Sequence, residues 1–145
     1  MRRFCQAFAA VILVAVVVGA CGGDSNDSAD ATSNDIAGSV KEWVLEVDAI
    51  TAKAGDVTFT ILNKGTIGHE FLVVKTDIED GKIPLAGDHF AEPSAGLEVI
   101  DEIGEFPAGE TNKLTVTLEP GNYQLVCNLP AHYGAGMHIT FTVIA

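Results

Sequence analysis

Basic residues are scarce in this chain. Eight Lys and Arg stand against twenty Asp and Glu in 145 residues, a formal net charge of −12. Two of the eight are Arg2 and Arg3, so everything after residue 20 carries only six lysines. A surface so poor in cations has little to offer a phosphate backbone, which argues against nucleic-acid binding. Cysteine is almost absent: there are three, and only Cys127 lies beyond residue 21. No internal disulfide can therefore staple the body of the chain. There are no internal repeats, and no segment shows a convincing helical period. The one long apolar run is Phe4 to Ala20, broken only by Gln6.

That run follows Met1-Arg2-Arg3 and ends in Val18-Gly19-Ala20-Cys21. A positive start, an apolar middle and small residues at the end have the layout of a secretory signal. The small residues directly before a cysteine resemble the lipobox of bacterial lipoproteins. The resemblance implies cleavage of residues 1–20 as a signal peptide and lipidation of Cys21. The competing reading is an uncleaved anchor, for which the run is slightly short of the ~20 residues a spanning helix needs. Plain secretion is the third reading. All three put the domain outside the cytoplasm, and lipidation would hold it to the cell membrane on the periplasmic or outer face. Residues 21–39 are rich in Gly, Ser, Asn, Asp and Ala. They read as a flexible tether, with a single folded domain over 40–145.

Within the domain the apolar period is two. Trp43, Leu45 and Val47 suggest a first strand, Val57, Phe59 and Ile61 a second, and His69 to Lys75 a third with both faces apolar. Leu114, Val116 and Leu118, then Tyr123 to Cys127, then Ile139, Phe141 and Val143 continue the series. Thr76 to Gly109 is acidic and least regular, with a short edge strand expected over Val99 to Ile103. Six or seven short strands without a helix argue for an all-β fold, an antiparallel β-sandwich in a single domain.

The chemistry is concentrated near the C-terminus. Cys127, His132 and Met137 follow a Cys-x4-His-x4-Met spacing, in a stretch from Gly121 to Ala145 that has no charged residue. Thiolate and thioether are soft donors and imidazole suits copper in both oxidation states. A lone thiol in an oxidising compartment is a liability unless it is employed, and metal ligation is the employment its neighbours suggest. A second histidine must come from elsewhere, and His69 at a strand edge is the best placed. His89 sits in the acidic loop and reads as solvated. His138 should point away from the metal, and Glu70 faces opposite to His69.

Residues 123–137, Tyr-Gln-Leu-Val-Cys-Asn-Leu-Pro-Ala-His-Tyr-Gly-Ala-Gly-Met, resemble the ligand loop of the cupredoxins, closest to plastocyanin-, azurin- and sulfocyanin-like members. Ala54-Gly55-Asp56-Val57-Thr58-Phe59 and Asn63-Lys64-Gly65 resemble the strand that precedes their first His ligand. The resemblance implies a Greek-key β-sandwich and one type 1 copper ion held by His69, Cys127, His132 and Met137. Backbone N–H groups near the sulfur, that of Asn128 among them, would tune the potential. The implied function is single-electron transfer between redox protein partners, without catalysis, by a monomer. His132 would be the electron's exit, within a neutral patch of Leu129, Pro130, Ala131, Tyr133 and Ala135. The acidic remainder suits basic partners. A copper carrier or storage protein is the alternative; such proteins favour Met-rich or His-rich clusters, whereas beyond residue 20 only Met137 and four His are present.

Overall fold

The computed structural model describes residues 33–92 and 94–145. The signal-peptide segment 1–20, Cys21 and most of the tether lie outside the described residues. The described residues form nine strands. Among the described residues no helix is long and apolar enough to cross a membrane.

The strands are β1 (Asp35–Lys41), β2 (Val44–Val47), β3 (Thr51–Lys53), β4 (Gly55–Asn63), β5 (His69–Lys75), β6 (Glu98–Phe106), β7 (Thr111–Leu118), β8 (Gly121–Val126) and β9 (His138–Ile144). They make two sheets, ordered β2-β1-β4-β7 and β3-β9-β8-β5-β6. The β-sandwich expectation stands, with one correction. Two pairings, β1 with β4 and β3 with β9, are parallel, so both sheets are mixed rather than purely antiparallel.

The folded part also starts earlier than residue 40. Residues 35–39, expected in the tether, belong to β1, where Ile36 and Val40 are buried. The small residues that resembled linker are there for close packing. A Cβ on Gly38 would lie 2.6 Å from the Glu46 carbonyl oxygen and 2.9 Å from Ile61 Cδ1. Asn34 pins the entry to β1: its Nδ2 donates to the Lys53 and Asp56 carbonyls and its Oδ1 accepts the Lys53 N–H. Trp43, expected within a strand, lies between β1 and β2 and is 46 % exposed.

The core is built by the alternation in β4, β7 and β9 and by the inward faces of β5 and β8. Phe59 of β4 bridges the sheets, with ring centroids 5.2 Å from Phe71 of β5 and 5.5 Å from Phe141 of β9. Such tilted and edge-on aromatic contacts combine large buried area with favourable ring electrostatics. The other face of β5 is also covered. Leu72 and Val74 pack with Val126, Ile83, Phe90 and Tyr133, so the segment between β5 and β6 lies over the sheet. This explains why β5 reads as apolar on both sides.

Candidate metal centre

His69 opens β5, and Cys127 follows immediately on β8, the antiparallel neighbour of β5. The register that pairs Leu72 with Val126 brings both residues to the same end of the sheet. The register that pairs Val126 with His138 does the same for Met137, and the Cys127 N–H donates to the Met137 carbonyl at 2.9 Å. Between them the chain winds through tight turns. The His132 N–H donates to Leu129 O at 2.9 Å, that of Ala135 to Ala131 O at 3.0 Å, and that of Met137 to His132 O at 3.2 Å. Gly136 takes φ +114°, a conformation that a side chain resists.

His69 is held from the other side by Asn63. Its Nδ2 donates to the carbonyls of Ile67 (2.9 Å) and Phe106 (3.0 Å), and its Oδ1 accepts the Gly65 N–H at 2.9 Å. This buried amide ties the turn before β5 to the end of β6. A bulge between His69 and Phe71 in the β5–β6 pairing lies at the same place, as bulges often do beside functional residues.

The result is a compact donor set. His69 Nδ1 and His132 Nδ1 are 3.3 Å apart, and Cys127 Sγ is 3.2 Å from His132 Nδ1. The three ligand atoms lie within 4.8 Å of one another, and all three residues are buried. Met137 is fully buried in the same core. The Glu70 N–H donates to Cys127 Sγ at 3.4 Å. Burial pushes the Cys127 thiol up to about 11, against the downward pull of the Glu70 and Leu129 N–H groups. Burial also lowers both His69 and His132. A nucleophilic cysteine needs its thiolate stabilised, and this one is held protonated on protein groups alone. Two neutral imidazoles and a sulfur converging in a dry shell are instead a ready donor set for a soft or borderline metal ion.

Residues 33–144 match the family of copper-binding proteins that includes plastocyanin and azurin. The chain belongs to that family. This cupredoxin is similar in structure to dithionite-reduced auracyanin from Roseiflexus castenholzii, with 26 % identity and a TM-score of 0.60 over 79 % of this chain and 99 % of that one. It shares its fold with an azurin from Methylomonas sp. strain J (17 % identity, TM-score 0.59, covering 77 % and 98 %). It also shares it with rusticyanin from Thiobacillus ferrooxidans (22 % identity, TM-score 0.52, covering 76 % of each). No functionally curated protein matches the sequence. A copper ion is thus the cofactor, and the His69, Cys127 and His132 cluster fits a type 1 site.

Several details differ from the sequence reading. The Asn128 N–H donates to Glu70 Oε1 at 2.7 Å, not to the sulfur. Its side chain is committed to Phe90, accepting that residue's N–H and donating to its carbonyl. Tyr133 is buried in the second core cluster and cannot belong to a surface patch. His132 itself is only 7 % exposed. Trp43 stands edge-on to its ring, with centroids 5.0 Å apart. As expected, His138 points elsewhere, its Nδ1 3.0 Å from Asp80 Oδ1, and His89 is exposed beside Asp88. Neither Trp43 nor Glu42, which reaches the turn before His69, carries any signal in sequence that links it to the site.

Proposed function

We propose that this cupredoxin is an extracytoplasmic carrier of single electrons, tethered by a lipid on Cys21. The observation that carries the reading is the convergence of His69 Nδ1, His132 Nδ1 and Cys127 Sγ within 4.8 Å in a buried site. Copper bound there supplies a one-electron couple between Cu(II) and Cu(I). The chain supplies a braced cage. Asn63, the turns of 129–137 and the sheet register hold the donors in place, so little rearrangement accompanies a change of charge. Met137, opposite Cys127 across the β8–β9 register, would be the fourth residue to hold the ion, supplying a soft thioether donor.

The docking face is proposed around Trp43, with Leu129, Pro130, Ala131 and Ala135. The acidic surface would steer a basic redox partner toward it. The protein acts as a monomer in this reading and transforms no substrate.

The test is copper loading of the purified domain. An intense visible band and a reversible one-electron wave, both lost in Cys127→Ser, are the expected result. Rapid transfer of copper to a chelator without a reversible wave would favour the copper-carrier alternative. Replacement of Met137 by Leu should raise the potential and leave the band. Electron-transfer rates that do not change with ionic strength would remove the steering. A mature N-terminus without lipid on Cys21 would remove the tether.

A further inference from the structure

We propose that Glu42 is a positioning residue of the copper site, its carboxylate serving as the outer partner of the His69 imidazole. The inference rests on His69 as a copper ligand. His69 directs Nδ1 at the donor cluster, 3.3 Å from His132 Nδ1. Its other nitrogen, Nε2, is buried and has no hydrogen-bond partner among the described residues. An orphan of this kind is costly, and the group that faces it is Glu42, with Oε1 at 3.9 Å.

The approach depends on a missing side chain. A Cβ on Gly65 would lie 2.9 and 3.0 Å from the two Glu42 carboxylate oxygens and 3.0 Å from His69 Nε2. Glycine at 65 therefore leaves open the space in which carboxylate and imidazole face each other. The carboxylate is not free to wander. Oε1 accepts the Thr66 N–H at 2.7 Å, the Thr66 hydroxyl at 3.0 Å and the Ile67 N–H at 3.0 Å. Three donors on one oxygen favour the ionised carboxylate, so it stands as a negative charge beside the imidazole.

Two consequences follow. A carboxylate beside Nε2 favours the tautomer with the proton on Nε2, which leaves Nδ1 bare as a donor; outer carboxylates orient metal-bound histidines in this way. A fixed negative charge near the ion also favours Cu(II) over Cu(I). The carboxylate is partly exposed, with 26 % of its side chain accessible, so solvent screens it and the effect is modest.

The test compares Glu42→Gln with Glu119→Gln, which removes the same charge near the opposite end of the sheet, beside Lys75. In Glu42→Gln the preference for Cu(II) over Cu(I) should fall roughly tenfold, a rise of about 59 mV for a one-electron couple. Glu119→Gln should leave the potential unchanged. Gly65→Ala, which displaces the carboxylate, should shift the potential in the same direction as Glu42→Gln. An unchanged potential in Glu42→Gln, or an equal shift in Glu119→Gln, overturns the proposal. Nitrogen NMR of the metal-free protein provides a second reading that needs no copper. The wild-type His69 should be protonated on Nε2, with a larger Nδ1–H fraction in Glu42→Gln. A wild-type His69 protonated on Nδ1 overturns the proposal even if the copper site behaves as described.

Discussion

The indole of Trp43 meets the imidazole of His132 edge-on, with ring planes at 79° and centroids 5.0 Å apart. A ligand expected to reach the surface is therefore roofed by an aromatic ring that is itself 46 % exposed. Trp43 is the only tryptophan in the chain, so the protein's indole emission comes from a single group beside the metal. Adding one equivalent of Cu(II) should quench most of that emission. Emission that survives full copper loading would show that the ring does not lie where it is described. Trp43→Ala should uncover His132 and speed the loss of copper to a chelator several-fold.

Copper loading should release protons in a predictable number. The Cys127 thiol is pushed up to about 11 by burial, so it is protonated at pH 7 and must lose its proton to bind. His69 and His132 are lowered from their ordinary values by burial, so both are already neutral there. One proton per ion should appear between pH 7 and about 10, and apparent affinity should rise about tenfold per pH unit across that window. Calorimetry in buffers of different ionisation enthalpy counts the protons. A count of two or three would mean that the imidazoles also start protonated.

Gly136 sits at φ +114° directly before Met137. Alanine there should cost about 1–2 kcal/mol in backbone strain, even though the nearest atom to its Cβ would be the Trp43 carbonyl oxygen at an unstrained 3.7 Å. Urea unfolding of the metal-free protein measures the loss. Equal stability would mean that the turn relaxes around the new side chain.

Phe59 joins the two sheets through Phe71 and Phe141 and is fully buried. Phe59→Ala should cost about 3–5 kcal/mol, a large share of the ~5–15 kcal/mol that holds a domain of this size. The expected result is a much lower unfolding midpoint, with copper binding kept below it. A change under 1 kcal/mol would mean that the core refills the space.

Asn63 satisfies the turn before His69 with three buried or half-buried hydrogen bonds. Asn63→Ala leaves the Gly65 N–H and the Ile67 and Phe106 carbonyls without that partner, at a cost of about 2–4 kcal/mol. Hydrogen exchange at Gly65 should speed up, and copper affinity should fall although no ligand has been touched. Wild-type affinity in this variant would show that the turn does not position His69.

The strands that read clearly are those with one buried face. In β4 and β7 every second residue is buried, and a period of two survives in sequence because solvent and core select opposite residue types. β6 was legible only in part. It is an edge strand of nine residues in which only Ile103 and Phe106 are buried, so charged residues break its alternation. β1 was hidden by its small residues, and β3 by its length of three. The parallel pairings were beyond reach because they join strands that no turn connects, and register between such strands leaves no local trace.

Two of the three donors this protein gathers at one point, Cys127 and His132, are written along one short stretch, because donors on a single loop need only local turns to converge. Folding alone decided what stands around them. The pairing of β5 with β8 carries His69 to the sulfur, the β1–β2 connection brings Trp43 over His132, and the same connection sets Glu42 against the far side of His69. These contacts join residues 27 to 89 positions apart in the chain, from Glu42 and His69 to Trp43 and His132. They depend on how two sheets stack and in which register, and the packing of the whole core settles that.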